Sequence, residues 1–234
     1  MKHVTAILIL CAVLAPLSGC SRPYDPDAVL QKYGDNPLLQ SALDYEKRIG
    51  LTEADHEDYA LRCMLFANMT EELDATLFMK DKLKKVHKTF PDNALILSYY
   101  AATVGMAGRD NENVTNKMVY AKRSINYLDR AVSMDGENPV IRLSRGHMSY
   151  SMPAMLDRGD TAREDYDFLI SCLSDGSCSL PAEEAAAVYY NRAELSRREG
   201  EIETALVYYR KAAELLPESE TAKNAQEMVS SLEE

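Results

Sequence analysis

The chain has 234 residues and a formal net charge of −11, from 26 Lys and Arg against 37 Asp and Glu. This excess of acids disfavours nucleic acid as a partner, because phosphate binding requires a surplus of cationic side chains. Apolar residues at 46% and charged residues at 27% are typical of a globular protein rather than a disordered one. The scarcity of β-branched runs disfavours an all-β fold.

The N-terminal segment predicts export and lipid attachment. Lys2 precedes an apolar stretch over residues 4–17 that is too short to span a bilayer well, as in secretory signal peptides. The run Leu17-Ser18-Gly19-Cys20 resembles the bacterial lipobox, which implies cleavage before Cys20 and a diacylglycerol thioether on its sulfur. An incidental cysteine after an ordinary signal peptide is the alternative. Because Ser21 rather than Asp follows, lipoprotein sorting patterns favour the outer membrane, with the chain facing the periplasm.

From Asp27 onward the apolar residues recur with helical periodicity between Gly and Pro breakers. We expect helices over 26–33, 36–49, 53–68, 71–89, 93–107, 112–134, 138–150, 160–174, 182–198, 201–215 and 219–232. The predicted organisation is a removed signal peptide (1–19), a lipidated cysteine and tether (20–27), N-terminal helices (28–51), a repeat region (52–219) and a capping helix (220–234).

The clearest repeat unit runs from Ala186 to Ser219 and has thirty-four residues. Small residues, large aromatic residues, a turn glycine and a terminal proline follow one another at fixed spacing: Tyr189, Ala193, Gly200, Ala205, Tyr209, Ala212 and Pro217. This pattern resembles a tetratricopeptide repeat (TPR), a helix-turn-helix unit that stacks into a solenoid. Arg192 and Ser196 stand where the family has Leu and an aromatic residue, and we expect them to weaken packing inside the unit.

Degenerate copies of the unit precede it. Equivalent positions are occupied by Leu97, Ala101, Leu128, Ala131 and Gly146, which indicates three or four repeats over 52–219. The resemblance therefore implies an all-α solenoid of TPR-like repeats with a C-terminal capping helix, because such arrays need a lid over their last open face.

Two of the earlier units are longer than one repeat, with the excess around 109–119 and 151–158. We expect the polar stretch 108–116 to be an exposed loop and the partly apolar stretch 151–159 to fold back on the groove. Neutral drift in a surface loop is the alternative for both.

Three cysteines remain between the predicted lipid site and the C-terminus. Cys172 and Cys178 flank a turn-forming stretch and are candidates for a disulfide, with two free thiols as the alternative. Cys63 lies in an apolar helical run and is expected to be a buried thiol. No cysteine or histidine spacing is typical of zinc, so no metal and no cofactor are predicted.

The histidines have ordinary structural interpretations. His56 belongs to an acidic first helical turn, and His87 lies at a basic helix end. In both places the charges of the neighbouring side chains complement the helix dipole. His147 follows Gly146 and is interpreted as a satisfied or exposed histidine, with a groove-facing position as the alternative.

No GxSxG motif, phosphate-binding glycine loop or HExxH motif occurs, so no catalytic residue is assigned and the chain is not expected to be an enzyme. If Tyr189 packs within its repeat, Tyr190 turns towards the concave side together with Glu194 and Arg197. Asn191 matches an asparagine with which some TPR domains bind a peptide carboxylate. We assign Tyr190, Asn191, Glu194 and Arg197 as partner-binding residues. Packing of Tyr190 and Arg197 on an extra helix is the alternative.

These features predict a membrane-anchored, periplasm-facing adaptor that binds another envelope protein or peptide in envelope assembly or regulation. The alternative is an accessory component of periplasmic uptake that binds a small apolar ligand or a solute-binding protein. In that case the stretch 152–156 would cover an apolar cavity. The fold alone does not decide between them.

Overall fold

A computed structural model describes residues 24–48 and 51–233 of the chain. The predicted signal peptide and Cys20 lie outside the described residues. The helices are α1 (Pro26–Tyr33), α2 (Pro37–Glu46), α3 (Glu53–Thr70), α4 (Leu73–Thr89), α5 (Ala94–Arg109), α6 (Val114–Met134), α7 (Pro139–Tyr150), α8 (Gly159–Asp175), α9 (Ala182–Arg198), α10 (Ile202–Leu215) and α11 (Glu220–Leu232), with a short 3₁₀ helix at Ala154–Leu156. No strand occurs in these ranges, so the predicted all-α architecture is confirmed. Within the same ranges, no helix combines the length and apolarity that a bilayer crossing requires.

Polar N-cap residues define where many of the helices begin. Thr52 and Asp55 form a reciprocal capping box at α3. At α2, α5, α6 and α7 the capping residue is an asparagine whose side chain accepts backbone N–H groups of the first turn: Asn36, Asn93, Asn113 and Asn138. Because each cap satisfies donors that the helix leaves free, short loops suffice between the helices.

Consecutive helices pair as hairpins: α3 with α4, α5 with α6, α7 with α8, and α9 with α10. Neighbouring hairpins also touch, since α5 packs on α3, α4 and α7, and α9 packs on α8. At the two ends, α1 and α2 pack on α4 and α3, and α11 packs on α10 and α9. One large apolar core extends from α1 to α7, and two smaller ones lie around α8 to α11.

The anchor positions of the clearest repeat lie in the core as predicted. Ala193, Ala205, Tyr209 and Ala212 are all 0% exposed. Gly200 forms the turn with φ +80°, a backbone conformation that L side chains rarely adopt.

The two departures in this repeat do not simply weaken packing, which corrects the expectation from sequence. The Arg192 guanidinium is buried and donates to Asp167 at 2.7 Å and to the Ser196 hydroxyl at 2.6 Å. Ser196 in turn donates to Glu201 at 2.9 Å. A hydrogen-bonded polar chain therefore replaces the apolar contact of the family pattern.

The excess length of the second hairpin is mostly helix, because α6 has 21 residues and the loop before it covers only residues 110–113. The expectation of an exposed loop over 108–116 is therefore wrong in part. The Asp110 side chain is only 2% exposed and accepts from the Thr76 hydroxyl at 2.6 Å, and Asn111 is buried. The loop is held against α4 by these contacts. The second helix also differs from expectation, since it ends at Glu46 rather than at residue 49.

The insertion between α7 and α8 is attached to α6. Arg158 donates to Asp129 of α6 at 2.6 Å. This bond ties the end of the insertion to the second helix of the preceding hairpin, and folding of 151–159 over the groove stays a prediction.

Three cysteines and two histidines make contacts within the fold. The structure joins Cys172 and Cys178 in a disulfide with Cα atoms 5.3 Å apart, and Cys63 is a buried free thiol. His56 Nδ1 donates to the Thr52 carbonyl at 2.8 Å, within the first turn of α3. His87 lies in the basic last turn of α4, as predicted, and stacks on Tyr100. Burial, followed by the charge of Arg130, lowers its pKa.

Gly146 permits the close approach of α7 to α8. A Cβ at this position would lie 3.2 Å from Asp165 Cβ and 3.2 Å from Tyr166 Cε1, both on the facing helix. We expect Gly146→Val to lower the free energy of unfolding by about 1–3 kcal/mol through overpacking. Urea unfolding followed by circular dichroism measures the change. Gly159→Ala is the matched control because nothing lies within 4 Å of its Cβ position. Equal stability of the two variants would contradict the close packing of α7 on α8.

Candidate protein-interaction surface

A buried ion pair holds α7 against α8 and positions the surface described below. Asp165 is 0% exposed and accepts two hydrogen bonds of 2.7 Å from Arg145. Arg142, one turn earlier on α7, donates to the same carboxylate at 2.9 Å. Burial alone would lower the pKa of Arg145, but its bonds to Asp165 outweigh this effect and raise it. The buried charges are therefore paired with one another and hydrogen-bonded, as the burial of an ionised side chain requires.

Next to this pair, α7, α8 and α9 meet in a polar cluster. His147 Nδ1 lies 3.1 Å from the hydroxyl of Tyr166, and Asn191 Nδ2 donates to the same hydroxyl at 3.2 Å. His147 Nε2 lies 3.4 Å from Glu184 at the start of α9. Tyr166 is fully buried beneath these groups. The hydrogen bond from His147, together with its charge, outweighs burial and lowers the pKa of Glu184.

An aromatic and cationic edge adjoins the cluster. The Tyr150 ring contacts the Tyr166 ring edge-on at 6.3 Å. The Arg198 guanidinium lies 4.9 Å above the Tyr150 ring and donates to its hydroxyl at 3.2 Å. Burial raises the pKa of Tyr150 above its ordinary value.

We call this surface the α7–α9 seam and define it as His147, Tyr150, Glu184, Asn191 and Arg198. All five side chains lie on the first helices of two successive hairpins. Histidine, glutamate and arginine remain partly open, with exposed side-chain fractions of 32%, 46% and 52%. The seam combines donors, acceptors, an aromatic face and a cation, which are the groups that bind polar and aromatic parts of a peptide.

The structure places the four predicted partner-binding residues in two different environments. Asn191 lies in the seam. Tyr190 is partly buried and packs edge-on against Tyr209, with ring centroids 5.5 Å apart. Burial, followed by the charge of Glu194, raises the pKa of Tyr190. This contact is with α10, the second helix of the same hairpin, and the assignment of Tyr190 as a partner-binding residue stays a prediction.

Glu194 is buried in the α9–α10 interface and not on an open face. It accepts hydrogen bonds from the Tyr209 hydroxyl and from Arg197, the latter at 2.9 Å. Burial alone would raise the pKa of Glu194, but these bonds outweigh it and lower the value. Arg197 remains 37% exposed and its pKa is raised by Glu194. The structure thus engages Glu194 internally, which corrects its assignment as a free partner-binding group.

Sequence reasoning did not assign Tyr150, Glu184 or Arg198 to a site. They are separated by up to 48 positions and come together only through the packing of α7 near α9. The sequence carries one weak signal for this grouping. Glu184, Asn191 and Arg198 are each seven residues apart along α9 and therefore share one face of the helix.

A separate cleft of about 470 Å³ lies between α2, α3 and α4. Its lining is aromatic and cationic, with Tyr45, Tyr59, Arg48 and Lys85 among the lining residues. Glu46 is engaged within it by Lys82 at 2.8 Å and by the Tyr59 hydroxyl at 2.5 Å. Over residues 24–48 and 51–233, no three His, Cys, Asp or Glu side chains are grouped as a metal site would require.

Comparison with solved structures shows that the chain has a TPR fold. A thermophilic TPR protein from Thermus thermophilus is similar over 88% of this chain and 95% of its own, with a TM-score of 0.57 and 16% sequence identity. The predicted solenoid of TPR-like hairpins is thereby confirmed. No protein-family model matches the sequence. A search of curated proteins found no match. TPR folds typically serve as protein–protein interaction modules and non-enzymatic scaffolds.

The internal role of Glu194 predicts a pH-dependent contribution to stability. A carboxylate with a lowered pKa stabilises the fold above its ordinary value of 4.5, and this stability is lost as the pH falls through the lowered value. We expect Glu194→Gln to lower the free energy of unfolding by about 1–2 kcal/mol at pH ~7. The difference from the unchanged protein should shrink in more acidic solution. Urea unfolding over a pH series measures it, with Glu203→Gln on the exposed side of α10 as control. A difference that is constant with pH would contradict the assigned role.

Proposed function

We propose that the protein is a lipid-anchored, periplasm-facing TPR adaptor that binds another envelope protein through the α7–α9 seam. The TPR fold supports the general class, a protein-interaction module. The observation that carries the proposal is the seam itself, because it offers partly open polar and aromatic groups on the first helices of two hairpins.

The character of the seam favours a polypeptide over a small apolar ligand. Its groups are held by hydrogen bonds to the buried Tyr166 hydroxyl, so their positions are set before a partner arrives. An extended segment with an aromatic or acidic side chain would find Arg198 and the Tyr150 ring beside it. Asn191 and His147 would supply further hydrogen bonds to its backbone.

Support for the membrane anchor comes from the sequence. Residues 4–20 combine an apolar stretch with the lipobox-like run that ends at Cys20. The folded part begins at once, since α1 starts at Pro26. Five residues, 21–25, separate Cys20 from α1 and would reach at most about 18 Å, so a lipid on Cys20 would hold the solenoid close to the membrane.

The anchor has a direct test. We expect Cys20→Ala to abolish labelling by a radioactive fatty acid and to release the protein from the membrane fraction, because acyl chains supply the membrane affinity. Cys63→Ala is the matched control, since this thiol is buried within α3. Membrane retention of an unlabelled Cys20→Ala protein would contradict lipid anchoring.

The seam has a separate test in intact cells, with crosslinking of a tagged protein and identification of what is captured. We expect His147→Ala with Arg198→Ala to reduce the captured partner about tenfold or more, as for removal of central interface residues. Both side chains are partly open, so the fold should persist, which circular dichroism verifies.

Val207→Ser is the control for the seam variant, because Val207 is 58% exposed on α10 and lies outside the seam. Unchanged capture by the double variant would refute the seam as the binding site. A retained small molecule in place of any protein partner would favour the carrier alternative.

A further inference from the structure

Charge is unevenly distributed along this acidic chain. Residues 73–134, which span α4 to α6, contain ten Lys and Arg but only six Asp and Glu. Residues 135–234 contain ten Lys and Arg against twenty Asp and Glu. The middle of the solenoid is therefore basic, whereas the chain as a whole carries −11.

The cations of the two regions also differ in how they are paired. In the C-terminal hairpins, arginines such as Arg142, Arg163 and Arg197 are joined to carboxylates. On α4 and α6, by contrast, several exposed cations make no ion pair with any part of the chain that the structure describes: Lys84, Lys85, Lys88, Lys117, Lys122, Arg123 and Arg130. These charges are free for an anion from outside the molecule.

Contacts between the two helices place part of these cations on one surface. Lys80 of α4 lies 5.9 Å from the Tyr120 ring of α6. One to two turns along α4, Lys84 and Lys88 follow Lys80 at four-residue spacing and therefore share its face. Arg130 of α6 donates to the Pro91 carbonyl, just beyond the end of α4.

We call this surface the α4–α6 basic face and define it as Lys84, Lys88, Arg123 and Arg130. Its positive potential acts on a neighbour, because Arg130 adds to burial in lowering the pKa of His87. The charge of Arg123 likewise opposes the rise in pKa that burial causes at Tyr100.

The chain enters the fold beside this face. Tyr24 packs edge-on against Phe78 at 6.1 Å and donates to Asp81 at 3.1 Å, both on α4. Cys20 is four residues before Tyr24, a reach of at most about 14 Å. Lys88 is seven residues beyond Asp81 along the helix, a distance of about 10 Å. A lipid on Cys20 would therefore enter the bilayer close to the basic face.

We propose that the α4–α6 basic face lies on the membrane and binds anionic phospholipid headgroups. This inference rests on the proposed anchor at Cys20 and adds an orientation to it. One acyl-anchored residue restrains position but not rotation, whereas several cations near a negatively charged surface restrain both. Near a lipidated Cys20, the local concentration of headgroup phosphates also exceeds that of any protein partner.

The test uses the full lipidated protein reconstituted in vesicles of phosphatidylethanolamine and phosphatidylglycerol. Matched vesicles contain phosphatidylcholine in place of phosphatidylglycerol. A water-soluble reagent acetylates accessible lysines, and peptide mass spectrometry gives the rate at each site. The mass of the N-terminal peptide reports the lipid on Cys20 independently, so a failure of the anchor and a failure of the orientation are distinguished.

We expect Lys84 and Lys88 to react about fivefold or more slowly in the anionic vesicles than in the neutral ones. Lys211 and Lys223, on α10 and α11, should react equally in both. Added salt should remove the difference, because it screens exposed charges. In the Arg123→Glu/Arg130→Glu variant, the protection of Lys84 and Lys88 should disappear, whereas the matched Lys211→Glu/Lys223→Glu variant should retain it.

Equal reactivity in both kinds of vesicle, on a protein whose lipid is verified, would overturn the proposal. Protection of Lys84 and Lys88 that persists in the Arg123→Glu/Arg130→Glu variant would do the same. Protection in neutral vesicles that grows with protein density would identify the acidic C-terminal hairpins of a second copy as the occupant, and it too would overturn lipid binding.

Discussion

Two helices of a hairpin approach closely only where their crossing carries residues with little or no side chain. Gly146 meets this condition in the third hairpin, where Asp165 and Tyr166 of α8 lie directly opposite. Two consequences follow from that single approach. Arg145 reaches Asp165 and forms a buried ion pair, and the Tyr166 hydroxyl comes within hydrogen-bond distance of His147. The polar groups of the α7–α9 seam are positioned by these bonds.

A second constraint comes from the stacking of hairpins. No hairpin can bury its apolar face alone, so the last one needs a cover, which α11 supplies. Within the last hairpin, Tyr190 packs against Tyr209 and Glu194 accepts a hydrogen bond from the Tyr209 hydroxyl, so both residues are engaged between α9 and α10.

Paired and unpaired cations lie in different parts of the solenoid. The C-terminal hairpins use their arginines to neutralise neighbouring acids, while α4 and α6 leave cations unpaired within the described residues. The seam lies on first helices of the third and fourth hairpins, and the basic face lies on second helices of the first and second. Because the two surfaces use different elements, membrane contact by one leaves the other available to a partner.

The local pattern of the sequence was sufficient for the helices and for the repeat, because periodicity, caps and breakers act within a few residues of each other. The small and aromatic positions of the last repeat, from Ala193 to Ala212, are buried as the pattern predicts. The same pattern was insufficient for Arg192 and Ser196, whose polar partners belong to other helices or turns. The sequence by itself thus determined the all-α hairpin architecture, whereas lipid attachment at Cys20 stays a prediction. Only the tertiary structure decided which polar groups are open and which are engaged. Residues far apart in the chain, such as Tyr150 and Arg198, meet through packing distances that no local spacing encodes.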